Sequence, residues 1–243
     1  MYLQTGSILT IDDCIALVCF GLCFVGYVYV IGHPPTGKTT LRGAMHVWRR
    51  RWMDSMTRRD VRMMDTQLIG HIMQSLTFFA SSSILILAGL VAAFSAADNA
   101  ATTLSALPFT LLMTADQFAI RLVLPTSFIV YAFFVFTTGL RQFNYTCVLI
   151  GALSSAPDSQ ERAQFIEQAA TIMGLGTNNF NAGIRSYYFA LASLSWFVHP
   201  YALVTSTLCV TLILYRRQMV SPTLQALMSF TEQDQTRSKI ADQ

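Results

Sequence analysis

The chain has 243 residues, of which 53% are hydrophobic and only 12% charged, with a formal net charge of +3 at pH 7. A typical soluble domain has about 25% charged residues, so this composition argues against a soluble domain. Nearly all of the charge lies between four apolar stretches that contain no Asp, Glu, Lys or Arg: Cys14–Gly32, Ile72–Ala97, Leu122–Leu140 and Ser186–Tyr215.

These stretches are long enough to cross a bilayer. A hydrocarbon core about 30 Å thick needs roughly 20 apolar residues in a helix, and only helices satisfy every backbone amide within one such segment. The sequence therefore predicts an all-α integral membrane bundle of four transmembrane helices with amphipathic interfacial helices. We place the spans at about 12–32, 70–97, 120–153 and 184–215, in one membrane domain over 1–230 that precedes a polar tail, 231–243.

The loop after the first span, 33–70, is strongly basic. It carries Lys38, Arg42, Arg49, Arg50, Arg51, Arg58, Arg59 and Arg62, whereas the loop Asp98–Ala119 carries neither Lys nor Arg. The positive-inside rule places the basic loop in the cytoplasm and the N-terminus outside, in a plasma membrane or bacterial inner membrane. Alternation then puts Arg141, Arg162 and Arg185 inside and the C-terminus outside, although the pair Arg216–Arg217 opposes that placement.

The basic loop also contains an amphipathic pattern. Apolar side chains recur at helical spacing, at Leu41, Met45, Trp48, Trp52 and Met56. One interpretation is a helix in the cytoplasmic headgroup layer, with its indoles and guanidinium groups on lipid: Trp48, Arg49, Arg50, Arg51 and Trp52. The other is a helix packed on the underside of the bundle itself.

A string at the end of the first span matches the phosphate-loop pattern GxxxxGK[ST], at Gly32–Thr39. That motif works only between a buried strand and a helix of an α/β domain. Here a membrane span precedes it, and two consecutive prolines remove amide donors that a phosphate cradle needs. We therefore predict no nucleotide binding.

Cofactors and metals have little support in the pattern. The five cysteines show no metal-ligand spacing, and the four histidines do not provide two imidazoles at matching depth in the membrane for haem. His199, followed by Pro200, is expected to mark a kink in the fourth span. No cofactor, metal site or nucleic-acid binding is predicted.

Polar residues at the predicted cytoplasmic helix ends are the better candidates for a site. They are Asp65 and Gln67 before the second span, Arg141 and Asn144 after the third, and Asn178, Asn181, Arg185 and Tyr187 at the fourth. Asp65 is expected to pair with Arg141 or Arg185. This cluster is interpreted as a polar girdle that holds the helices in register, with a ligand or ion site and a partner-docking surface as alternatives.

Small residues recur every four positions in the second span, at Ala88, Ala92 and Ala96 and at Gly89, Ala93 and Ala97. Such faces permit close helix contact within a bundle or between copies. They predict a protein partner or self-association.

An ordered set of residues suggests a family. It comprises Trp52-Met53, Asp65-Thr66-Gln67-Leu68, Ala80-Ser81-Ser82-Ser83, Arg141 with Asn144-Tyr145, and Asn181-x-Gly183-x-Arg185-x-Tyr187-Tyr188-Phe189 with Trp196. Over about 11–215 the chain resembles the membrane family called domain of unknown function 599. The resemblance implies a four-span membrane protein of bacteria and plants and supplies no reaction or ligand.

These observations lead to one leading hypothesis and two alternatives. The chain is expected to be a non-enzymatic structural or accessory component of a membrane complex. The first alternative is a small transporter or channel subunit with its polar site at the cytoplasmic helix ends, and the second is a haem or redox membrane anchor.

Overall fold

The computed structural model describes residues 9–32, 41–105, 113–154, 158–219 and 225–227. The elements of these ranges are helices, with no strand among them: α1 Ile11–Gly32, α2 Leu41–Thr57, α3 Met63–Ser95, α4 Ala97–Ser105, α5 Ala115–Ala152, α6 Ser159–Leu194, a single 3-10 turn Ser195–Phe197, and α7 Pro200–Met219. The all-α prediction is confirmed. Residues 33–39 of the GxxxxGK[ST] string and the tail 231–243 lie outside the described residues, and the residues before Gly32 form a helix rather than a strand.

Three of the described helices are long and apolar enough to cross a membrane: α1, α3 and α5. Their outward aliphatic and aromatic side chains are largely exposed, as Leu22, Leu85 and Phe134 illustrate. Contiguous exposed apolar surface of this kind would be unfavourable in water and is expected where hydrocarbon covers the helices. The structure thus accounts for three of the four predicted spans as single helices.

The centre of the bundle is the antiparallel pair α5 and α6, which pack closely through glycines. A Cβ at Gly176 would lie 2.8 Å from the ring of Phe143, and a Cβ at Gly183 would collide with the ring of Phe136. Both aromatic rings are fully buried. The close contact therefore occurs at Gly176 and Gly183, whereas Ala88, Gly89 and Ala92 of α3, and Ala96 directly after it, are exposed.

Helices α5 and α6 are longer than a bilayer is thick. At 38 residues, α5 is about 57 Å long, against about 30 Å for the hydrocarbon core. Its C-terminal part packs with α2, the start of α3 and the first half of α6 around a shared apolar core that includes Met53, Met56, Ile69, Phe143, Phe165 and Met173. We call this end of the bundle, which carries α2, the basic end.

The predicted fourth span, 184–215, is wrong as one continuous helix. Helix α6 ends at Leu194, and α7 folds back along it. The reversal is evident from the Oγ atoms of Ser195 and Ser206, which lie 2.7 Å apart. Pro200 has no amide hydrogen to continue the α6 ladder and instead occupies the first position of α7. The imidazole Nδ1 of His199 accepts a 3.2 Å hydrogen bond from the amide of Tyr201 at this start. The expected kink is thus a full reversal.

The reversal changes the end of the bundle at which α7 ends. Helix α7 runs parallel to α1: the Tyr201 hydroxyl donates a 3.4 Å hydrogen bond to Asp12 at one end, and Arg217 lines a cavity with Tyr27 at the other. The described C-terminal end of α7 therefore lies at the basic end, beside α2. The sequence predicted the chain after the fourth span on the side opposite the basic loop, whereas the described end of α7 lies at the same end of the bundle as α2.

Candidate functional site

Asp65 is fully buried where α2 meets α3 and does not pair as predicted. Its Oδ1 accepts 2.7 Å hydrogen bonds from Trp52 Nε1 and from Arg59 Nη1. The expected partners, Arg141 and Arg185, lie elsewhere, because α2 folds onto the bundle and the turn that follows α2 brings Arg59 to the carboxylate. Asp65 thus joins α2 to α3.

Helix α2 makes protein contacts along its length. Arg49 is buried, its Nη1 lies 3.5 Å from where a Cβ on Gly174 of α6 would be, and Arg50 forms a 3.1 Å ion pair with Glu167 of α6. The guanidinium of Arg51 stacks 5.1 Å from the ring centre of Trp48 on the same helix. These contacts are those of a helix packed on the underside of the bundle, the second of the two interpretations of this loop.

The remaining predicted cluster divides into separate groups. Gln67, Arg141 and Asn144 are exposed. The Tyr187 hydroxyl donates to the carbonyl of Phe79 at 2.9 Å and lies 2.9 Å from Ser83 Oγ, so it joins α6 to α3. A further polar bond, from Asn179 Nδ2 to Gln142 Oε1 at 2.7 Å, joins α6 to α5 and was not predicted.

Asn178, Asn181 and Arg185 do come together, in a cavity at the basic end. The cavity has a volume of about 620 Å³, within the roughly 300–1,000 Å³ usual for ligand sites. Its polar lining comes from four helices, α1, α2, α6 and α7. Besides these three residues, it includes Tyr27, Arg42, Arg49, Thr177, Tyr188, Arg217 and Gln218. We call this space the basic-end cavity.

The charge of the basic-end cavity is entirely positive among its described lining residues. Arg42, Arg49, Arg185 and Arg217 contribute four guanidinium groups, and no Asp or Glu lines the space with them. Burial lowers the pKa of the Arg49 guanidinium, and the neighbouring charge of Arg42 lowers it further. Arginine still stays protonated, so the cavity concentrates positive charge where an anion would be favoured.

Arg185 lies against an aromatic ring in this cavity. Its guanidinium carbon lies 5.7 Å from the ring centre of Tyr27, a cation–π arrangement. Its buried Nε has no hydrogen-bond partner among the described residues. A buried guanidinium N–H without an acceptor is unfavourable, so the described residues leave this nitrogen unsatisfied.

Sequence reasoning missed most of this lining. Arg42 was counted only as a charge of the basic loop, and Arg49 was placed on lipid head groups in one of the two interpretations of that loop. Arg217 was placed on the opposite side of the membrane, and Tyr27 in an apolar span. The pair Arg216–Arg217, which opposed the predicted topology, was the one signal in the sequence that grouped Arg217 with the arginines of the basic loop.

A second polar network lies at the other end of the bundle. Asp13 Oδ1 accepts hydrogen bonds from Trp196 Nε1 at 2.7 Å and Arg121 Nη2 at 3.3 Å, and Arg121 Nη1 donates to the Trp196 carbonyl at 3.1 Å. Thr10 donates both its amide and its hydroxyl to the other oxygen of Asp13. Every charged group of this network is paired, so it holds α1, α5 and the 3-10 turn together.

No cluster of His, Cys, Asp and Glu suited to a metal ion occurs in the part of the chain that the structure describes, and its five cysteines are free thiols. Of the three described histidines, His46 lies on α2 within 3.9 Å of Glu167, His71 lies on α3, and His199 lies at the α6–α7 turn.

Long apolar helices, outward hydrophobic side chains and a polar cavity at one end together are consistent with a multi-pass helical membrane protein. Residues 15–223 match the family described as "Protein of unknown function, DUF599", and the chain belongs to this family. No curated protein and no solved structure matches the chain. The family resemblance predicted from the sequence is confirmed, and its description assigns no activity.

Proposed function

We propose that the protein is a membrane-embedded anion-binding protein of the transporter or channel-subunit type, with the basic-end cavity as its site. The observation that carries the proposal is the set of four arginines around one cavity whose described lining contains no carboxylate. This replaces the purely structural role as the leading hypothesis, because a structural girdle would be expected to pair its charges.

The energetics favour a ligand. The four guanidinium groups repel one another, and Arg49 among them is buried with no carboxylate on the described lining. The Asp13–Arg121 pair shows how this chain neutralises a charge that serves structure alone. The unpaired arginines of the cavity are better explained as a site that is completed by an anion.

The same proposal includes a topology. We place five helix passes in the plasma membrane or bacterial inner membrane: α1, α3, α5, the second half of α6, and α7. The N-terminus lies outside and the basic end in the cytoplasm. Every described Lys and Arg then belongs to the cytoplasmic half except Arg121, which is buried against Asp13. This distribution satisfies the positive-inside rule and includes the Arg216–Arg217 pair.

A second candidate role, association with another copy or a protein partner, is supported by the outer half of α3. Ala88, Gly89 and Ala92 are exposed, and a Cβ at Gly89 would touch nothing within 4 Å. Small faces of this kind are available for close helix contact in a membrane. The measurement is the oligomeric state of Gly89→Leu in detergent, and an unchanged state would remove this candidate.

Anion-dependent thermal stability tests the proposed site. In detergent, the melting temperature should rise with added phosphate, sulfate or carboxylate, because a ligand that binds only the folded state stabilises it. The rise should be small in Arg185→Gln and Arg49→Gln and normal in Arg50→Gln, whose side chain points to Glu167 instead. Equal responses in all four proteins, or none in wild type, would contradict the proposal.

A further inference from the structure

We infer that the ligand of the basic-end cavity is an amphiphile with a phosphate head group, the phosphate lying among the arginines and the apolar part against the cavity's apolar wall. The inference rests on the proposed anion-binding function and names the chemical class of the anion.

The head-group chemistry follows from the number and type of donors. Arginine forks match phosphate oxygens in pairs, and a phosphate monoester carries up to two charges and three acceptor oxygens. A carboxylate has one charge and two oxygens. Four guanidinium groups, with the amides of Asn178 and Asn181 on the same lining, therefore suit a phosphate better than a carboxylate.

The cavity also has an apolar wall, which inorganic phosphate would leave uncovered. Val28 and Ile31 of α1, Phe79 of α3, Phe180 and Ile184 of α6, and Leu214 of α7 line it. A ligand that filled about 620 Å³ of such a space would contact these side chains with an apolar portion. The mixed lining thus indicates a ligand with both a charged and an apolar part.

The apolar wall is continuous with the membrane-facing surface of α1. Val28 lines the cavity and is 39% exposed, and Val25, one turn nearer the middle of the helix, is 63% exposed. Residues three apart share one helix face, so this face runs from the cavity along the bilayer side of α1. An acyl chain held by its phosphate in the cavity would lie along it.

Calorimetric titration of the purified full chain in a non-ionic detergent tests the inference with four probes. Dihexanoyl phosphatidic acid carries phosphate and tails, inorganic phosphate lacks tails, decanoate replaces the phosphate by a carboxylate, and dihexanoyl phosphatidylcholine caps the phosphate with a cation. We expect phosphatidic acid to bind about tenfold or more tighter than each of the other three.

Two variants separate the head-group contact from the tail contact. Arg185→Lys, which keeps the charge and loses the fork, should weaken phosphatidic acid and inorganic phosphate alike. Ile184→Ser should weaken phosphatidic acid and leave inorganic phosphate unchanged, and Arg50→Gln should alter neither.

Three other outcomes overturn distinct statements. If inorganic phosphate binds as tightly as phosphatidic acid, the ligand is a free phosphate and the amphiphile is wrong. If decanoate binds as tightly, the head group is not specifically phosphate. In both cases the anion site itself stands. If none of the probes binds wild type and no anion shifts its melting temperature, the proposed function fails together with the inference.

Discussion

Arg59 and Asp65 form an ion pair of 2.7 Å across the turn between α2 and α3, with the carboxylate fully buried. The same oxygen accepts the indole N–H of Trp52, so one side chain fixes both the helix α2 and the turn that follows it. Because α2 carries Arg42 and Arg49, this pair also determines where two of the four cavity arginines lie.

Removing Arg59 should therefore destabilise the fold. Arg59→Gln leaves the Asp65 carboxylate buried without its cation, and we expect a loss of about 3–5 kcal/mol in the free energy of unfolding. Arg58→Gln is a matched control, since Arg58 pairs with Asp54 at the surface and such pairs contribute about 0–1 kcal/mol. Melting in detergent measures both, and similar melting temperatures for the two variants would show that the pair is solvated.

The sequence predicted the helical class and the membrane environment well, because long uncharged stretches such as Cys14–Gly32 have few other interpretations. It predicted the fourth span poorly. A helix reversal at Ser195–His199 is not distinguishable from a kink by composition, since the residues on both sides are equally apolar. The reversal depends on tertiary contacts, such as those of Ser206 with Ser195 and Ala192.

The candidate site was predicted in part for a similar reason. Asn178, Asn181 and Arg185 lie near one another on one helix, so the sequence alone predicted them as a group. Tyr27 and Arg217 join them only because α1 and α7 run parallel, and Arg49 joins them because α2 packs on α6. Contacts between elements far apart in the chain are not encoded in local periodicity.

Alanine substitutions at two glycines should affect the free energy of unfolding differently, because only one of the two lies in the close packing of α5 and α6. Gly183→Ala should lower the free energy of unfolding by about 1–3 kcal/mol, because the new methyl group collides with the ring of Phe136. Gly89→Ala meets open space and should be neutral or stabilising by up to about 1 kcal/mol through helix propensity. Thermal unfolding of the two variants compares them, and a neutral Gly183→Ala would show that the helices separate easily there.

The network of Asp13, Arg121 and Trp196 predicts that substitutions at two adjacent aspartates differ in their effect on stability. Asp13→Asn leaves the buried Arg121 guanidinium without its counter-charge and should destabilise by about 3–5 kcal/mol. Asp12→Asn, one residue away on the exposed side of α1, should have an effect of less than about 1 kcal/mol. Thermal unfolding in detergent at neutral pH compares the two variants, and equal melting temperatures would contradict this account.

The proposed five-pass arrangement predicts that α2 and the end of α7 are accessible from the same side of the membrane. In a cysteine-free background, cysteines placed at Ser55 in α2 and at Gln225 after α7 should react with an impermeant maleimide only in inside-out vesicles. The reason is that α7 returns to the end that carries α2. Labelling of the Gln225→Cys protein from the outside of intact cells would contradict the five-pass arrangement and support the four-span arrangement predicted from the sequence.

The most direct test of the central claim uses a single cysteine in the cavity itself. Asn181 is exposed and lines the basic-end cavity, so Asn181→Cys in a cysteine-free background reports both its side of the membrane and its occupancy. The account predicts that an impermeant maleimide labels this cysteine in inside-out vesicles and not in intact cells, and that dihexanoyl phosphatidic acid slows the labelling. Labelling from outside, or a labelling rate that no anion changes, would contradict a cytoplasmic anion site.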